Sequence, residues 1–140
     1  MPGSIELSYR IPVHNQAMHE YKNRSFGARL RFAVAGIAYG LSTERSLKTQ
    51  ALVFVVLLIA LILVRPAPVW WALVFLASSS VLSMELLNTA LERLADHLHP
   101  ETHPEIRIVK DCAAAGVLIA VLGAGAIGCA LICEMFFTAR

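Results

Sequence analysis

Residues 49–64 read TQALVFVVLLIALILV and are followed by Arg65-Pro66-Ala67-Pro68. Between Lys48 and Arg65 this leaves 16 residues without a charge. A bilayer-crossing helix needs about 17–25 residues, and the flexible side chains of Lys48 and Arg65 lengthen the run by reaching to the interface. The two prolines then break the chain. Past the break, 19 uncharged residues separate Arg65 from Glu85, with Trp70 and Trp71 where an interfacial aromatic belt falls. A third run of 22 uncharged residues separates Asp111 from Glu134. The reading is an all-α membrane protein with three spanning helices, over about 44–65, 68–95 and 108–136.

Composition agrees. Of 140 residues, 57% are hydrophobic and 16% charged, against about 45–50% and about 25% in soluble domains. A soluble globule of this size could not bury so much apolar surface. Disorder, collagen-like repeats and a disulfide scaffold are excluded on the same grounds. A net charge of +2 is too small for a nucleic-acid binder. Cys112, Cys129 and Cys133 lie in or beside one apolar run and read as small packing residues. No uncharged segment near Met1 reads as a signal peptide.

Basic residues set the orientation. Arg10, Lys22, Arg24, Arg29, Arg31, Arg45 and Lys48 precede the first span, and Arg93, Arg107 and Lys110 follow the second; only Arg65 and Arg140 lie on the other side. The positive-inside rule places the N-terminus and the second loop in the cytoplasm and the C-terminus outside. Residues 1–22 show no periodicity and read as a mobile tail before a single domain over 23–140. Phe26, Leu30, Val34, Ile37 and Leu41 recur at helical spacing, which predicts a surface helix over about 26–41 lying in the inner headgroup region. Ser42 and Thr43 read as N-caps for the next helix, with Glu44 in its first turn.

Charged groups beside lipid are costly, and by default they are functional. With this topology, Glu44, Glu85, Asn88, Glu92, Lys110 and Asp111 all fall at the cytoplasmic end of the spans. Glu85, Asn88, Glu92 and Asp96 are spaced 3, 4 and 4, a single stripe on one helix. Glu85 lies about 24 Å along that helix from Val69, just inside the boundary. Two carboxylates with an amide between them suit a hard divalent cation, Mg²⁺ shared with a phosphate substrate, and one carboxylate suits the role of base. The competing reading is an interhelical hydrogen-bond seam that only fixes packing. An ion- or proton-conducting subunit is a second alternative, although translocation favours a carboxylate nearer mid-bilayer. A structural membrane partner without chemistry leaves the polar convergence unexplained.

The run Glu85-Leu-Leu-Asn88-Thr-Ala-Leu-Glu92-Arg-Leu-Ala-Asp96 resembles the signature E-x-x-N-[ST]-A-x-E-x-x-x-D of the small prokaryotic diacylglycerol kinase family, which includes the undecaprenol kinases. Gly36-Ile37, Thr43-Glu44 with Lys48, His103-Pro104 and Lys110-Asp111 extend the resemblance from about Arg24 to Phe136. It implies a homotrimeric integral-membrane lipid kinase of the bacterial inner membrane, with composite sites between subunits. That kinase would use ATP and Mg²⁺ to phosphorylate diacylglycerol or, alternatively, undecaprenol. Carried over, Glu85 is the catalytic base, and Glu44 and Glu92 hold the metal. Phe32, Glu44, Asn88, Glu92, Glu101, His103, Lys110 and Asp111 contact ATP, while Arg24, Lys48 and Glu85 contact the lipid. Phe32 replaces a Tyr of some members, Gln50 an acidic residue and Ser25 an Arg, and Ala95 stands where a larger aliphatic residue is usual. The changes at 25, 32 and 50 leave the lipid specificity open.

Gly123-Ala-Gly125-Ala-Ile-Gly128 matches a dinucleotide fingerprint by letter but lies mid-membrane without a preceding strand, and reads as close helix packing. Ser78-Ser79-Ser80 reads as interhelical hydrogen bonding. His97, His99 and His103 fit no zinc spacing and read as a solvated loop.

Overall fold

The computed structural model describes residues 25–99, 101 and 103–138, and its elements are all helices: α1 (Phe26–Thr43), α2 (Arg45–Val64), α3 (Pro68–Leu98) and α4 (Pro104–Thr138). The expected tail over 1–22 lies outside the described residues, as does Arg24. Helices α2, α3 and α4 are each long and apolar enough to cross a membrane. The chain divides into two compact units between Gly36 and Ile37, within α1. In the first unit Phe26, Leu30 and Val34 are exposed along α1. The candidate site belongs to the second unit.

The junction of α1 and α2 differs from expectation. Glu44, not Ser42 or Thr43, is the N-cap of α2, in extended backbone with φ −99° and ψ 125°. Ser42 and Thr43 close the last turn of α1, where both hydroxyls donate to the Tyr39 carbonyl at 2.7 and 3.0 Å. A hydroxyl inside a helix reaches the carbonyl three or four residues back, and this local bond wins over capping a helix that starts two residues later. The Glu44 carboxylate makes no capping bond of its own. It is therefore available for other chemistry.

At the other end of α2, Arg65 adopts the left-handed conformation (φ 52°, ψ 53°) and donates its N–H to the Leu61 carbonyl at 2.9 Å. Pro68 then starts α3, at a position whose missing N–H costs nothing. This tight reversal makes α2 and α3 antiparallel. Leu47, Phe54 and Leu61 recur every seven residues along α2. Leu47 and Leu61 are each only 2% exposed, and the Phe54 ring meets Phe75 of α3 edge to face, centroids 5.5 Å apart. On α3 the buried stripe is Val74, Ser78, Val81, Glu85 and Thr89. Its spacing of 4, 3, 4 and 4 is the helical repeat. Glu85 thus occupies a core position.

Helix α4 returns along α3, so closely that a Cβ on Gly116 would lie 2.5 Å from the Met84 methyl. Ile59 and Ile62 on α2 and Leu118, Ile119 and Leu122 on α4 are exposed, as suits helices that face lipid.

Three packing expectations are corrected. Ser79 and Ser80 both donate to the Leu76 carbonyl, at 2.9 and 2.8 Å, inside their own helix. A Cβ added at Gly123, Gly125 or Gly128 would meet nothing within 4 Å, so these glycines do not mediate close packing within one chain. Cys112, Cys129 and Cys133 are free and exposed.

Candidate active site

The acidic side chains gather where the start of α2, the C-terminal half of α3 and the start of α4 meet. Glu85 is 6% exposed. Both its oxygens accept hydrogen bonds from α2: Oε2 from Ser46 Oγ at 3.0 Å, and Oε1 from Gln50 Nε2 at 2.6 Å. Ser46 and Gln50 are one turn apart and so present both donors on one face. A buried carboxylate is tolerated when such donors satisfy it. The Gln50 amide oxygen is itself buried without a hydrogen-bond partner.

One turn further along α3, Asn88 Nδ2 donates to Glu92 Oε1 at 3.0 Å, while Asn88 Oδ1 is buried and unpartnered. Glu44 Oε1 accepts from Arg93 Nη2 at 3.4 Å, and the Arg93 guanidinium stands 5.6 Å from the centre of the Tyr39 ring. Lys110 Nζ lies 2.5 Å from Asp96 Oδ1, joining α4 to α3. Asp111 pairs with Arg107 at 3.7 Å on the exposed side of α4.

The remaining expected site residues are more scattered. Lys48 donates to the Ser42 carbonyl at 2.9 Å, tying the α1–α2 junction. His103 Nδ1 accepts the Glu105 N–H at 3.3 Å and so caps α4, and its ring lies 6.3 Å from that of His99. Glu101 is exposed. Phe32 is exposed in the first unit, with the Arg31 guanidinium 5.7 Å from its ring centre.

Among the described residues, no three His, Cys, Asp or Glu side chains form a metal cage within one chain. Mg²⁺ does not require one. It is commonly held by one or two carboxylates, with phosphates and water completing an octahedron of oxygens. The donors here are oxygens, and the orphaned Asn88 Oδ1 beside Glu92 is an acceptor in need of a positive partner. The donor set fits a nucleotide-borne Mg²⁺ and does not fit a dedicated protein cage.

Three participants escaped the sequence reading. Sequence alone gives Ser46 no role, Arg93 a part only in the charge bias, and Gln50 only its place as a replacement. A polar pair at i and i+4 where an apolar helix begins was the available signal for Ser46 and Gln50. Arg93 had none, because its partner lies 49 residues away.

Fold and site together define an all-helical protein with three membrane-capable helices and an acidic cluster at one end of them. Residues 31–132 match the family model described as Prokaryotic diacylglycerol kinase. The chain is 35% identical over 99 residues to the diacylglycerol kinase of Synechocystis sp., covering 70% of this chain and 57% of that protein. It is 35% identical over 77 residues to the undecaprenol kinase of Bacillus subtilis, covering 55% of this chain and 63% of that protein. The chain thus spans about six-tenths of the length of these curated relatives. It belongs to the prokaryotic diacylglycerol kinase family.

Proposed function

We propose that this protein is an ATP-dependent lipid kinase that transfers the γ-phosphoryl group to the hydroxyl of a membrane lipid alcohol, with diacylglycerol the first substrate and phosphatidic acid its product. The observation that carries the reading is Glu85: a carboxylate in the buried stripe of a membrane-capable helix, with both oxygens held by donors from α2. Phosphoryl transfer needs charge neutralisation and an in-line hydroxyl more than covalent help from the protein. Glu85 accepts the hydroxyl proton at the depth of a lipid headgroup, so the alcohol need not leave the bilayer. Ser46 and Gln50 aim its carboxylate.

Glu44 and Glu92, with Asn88 Oδ1, would hold Mg²⁺. The bound ion would offset charge on the phosphate oxygens. Lys110 and Asp111 contact the nucleotide, together with Asn88, Glu101 and His103, and Lys48 contacts the lipid headgroup. The family resemblance adds to this reading a homotrimer whose neighbouring subunits share each site. It also places the protein in the bacterial inner membrane, with the site and N-terminus cytoplasmic and the C-terminus outside.

Undecaprenol is the second substrate reading, supported by equal identity to a relative of that name. The test offers purified protein Mg-ATP with diacylglycerol and undecaprenol side by side. Phosphate in diacylglycerol at the higher kcat/KM is the expected result. A reversed preference replaces the first substrate with the second, and transfer to neither lipid rejects the kinase.

A further inference from the structure

Arg93 occupies a position that the family signature leaves open, yet it is the side chain that meets Glu44. Two observations place it there. Its Nη2 lies 3.4 Å from Glu44 Oε1, and its guanidinium carbon stands 5.6 Å from the centre of the Tyr39 ring. The pair is asymmetric: the Arg93 side chain is 55% exposed and that of Glu44 only 27%. The more buried carboxylate is the one that loses more when left without a cation. Arg93, over an aromatic face and half in solvent, loses less when its partner goes.

We propose that Arg93 is an exchange residue: it covers Glu44 while no metal is present, then releases it and pairs with the nucleotide phosphates when the metal–nucleotide complex arrives. This rests on the reading of Glu44 as a metal ligand. Charge is conserved in the exchange, since Glu44 trades a guanidinium for the metal and Arg93 trades a carboxylate for a phosphate. A planar guanidinium suits that second pairing, because its fork matches two phosphate oxygens. Tyr39 holds the guanidinium beside the site during the swap. Metal alone gives Arg93 no new partner, whereas metal with nucleotide does. Arg93 therefore couples the two bindings.

Equilibrium binding on the full chain in detergent tests this without turnover. Mn²⁺ alone is titrated by electron paramagnetic resonance, and a non-hydrolysable ATP analogue is titrated with Mg²⁺ present, for wild type, Arg93→Met and Arg93→Lys. Helical circular dichroism checks that each variant is folded. In Arg93→Met, Mn²⁺ alone is expected to bind about two- to fivefold tighter, as for loss of a partly exposed ion pair. The nucleotide analogue is expected to bind about 10- to 100-fold weaker, as for loss of a charged hydrogen bond. Arg93→Lys, which keeps the charge without the fork, falls between. Opposite signs for the two ligands support the exchange, and a merely structural role moves both in one direction. Unchanged binding of either ligand, or weaker binding of both, overturns the exchange alone. Wild-type protein that binds no nucleotide overturns the kinase reading with it.

Discussion

Glu85 sits where its neighbours on α3 are Val74, Ser78, Val81 and Thr89, the buried face of that helix. A carboxylate there is tolerated because Ser46 and Gln50 donate to both its oxygens. Removing one donor leaves a charged acceptor short of a partner, at a cost of about 1.5–3 kcal/mol. Gln50→Leu is therefore expected to lower kcat about 10- to 100-fold with KM for ATP little changed, measured by steady-state lipid phosphorylation. Unchanged kcat would detach Gln50 from the base. Asn88 both offers its unpartnered Oδ1 to the proposed metal and supports Glu92, whose Oε1 it holds at 3.0 Å. Loss of such a supporting partner typically weakens a metal about 10- to 100-fold. Asn88→Leu should raise the Mg²⁺ concentration for half-maximal activity by that factor, read from Mg²⁺ titrations at saturating ATP. An unshifted midpoint separates Asn88 from the metal.

Helices bring these groups together through a few close approaches. A Cβ on Gly40, near the end of α1, would fall 2.8 Å from Leu47 Cδ2 and 2.9 Å from Leu86 Cδ2, so this glycine makes room for those two side chains. A large side chain there overpacks the junction that carries Glu44. Gly40→Leu is expected to destabilise the protein by about 1–3 kcal/mol. Gly36→Ala, where a Cβ meets nothing within 4 Å, should be neutral or stabilising by up to about 1 kcal/mol. Thermal unfolding in detergent compares the two, and equal destabilisation would contradict the packing described. What was legible in the sequence follows the same physics. Uncharged run lengths locate α2, α3 and α4, because hydrocarbon tolerates little else, and a period near 3.6 puts Glu85, Asn88, Glu92 and Asp96 on one stripe. Pairings across helices were not legible. Ser46 and Gln50 meet Glu85 over 39 and 35 residues, and only the register set by Leu47, Phe54 and Leu61 against α3 brings them there. Glu44 rather than Ser42 or Thr43 caps α2 because both hydroxyls bond backward to Tyr39, a local competition that residue type alone does not settle.

In the second unit, α2, α3 and α4 carry Glu44, Glu85, Glu92, Arg93 and Lys110 towards one end and Arg65 with Glu134 towards the other. The proposed topology, read from the basic-residue bias, puts the acidic end in the cytoplasm. In a background with Cys112, Cys129 and Cys133 replaced by Ser, Ala67→Cys should react with a membrane-impermeant maleimide in intact cells, and Glu101→Cys only after permeabilisation. The reverse pattern would invert the topology and move the site away from cytosolic ATP. The central claim is that Glu85 takes the proton from a lipid hydroxyl beside bound nucleotide. Its most direct measurement compares wild type with Glu85→Gln for both nucleotide binding and phosphate transfer to lipid. Positioned proton transfer contributes about 10²–10⁴-fold. Glu85→Gln is expected to bind Mg-nucleotide within about twofold of wild type while its turnover falls by that factor. Wild-type turnover in Glu85→Gln would contradict it.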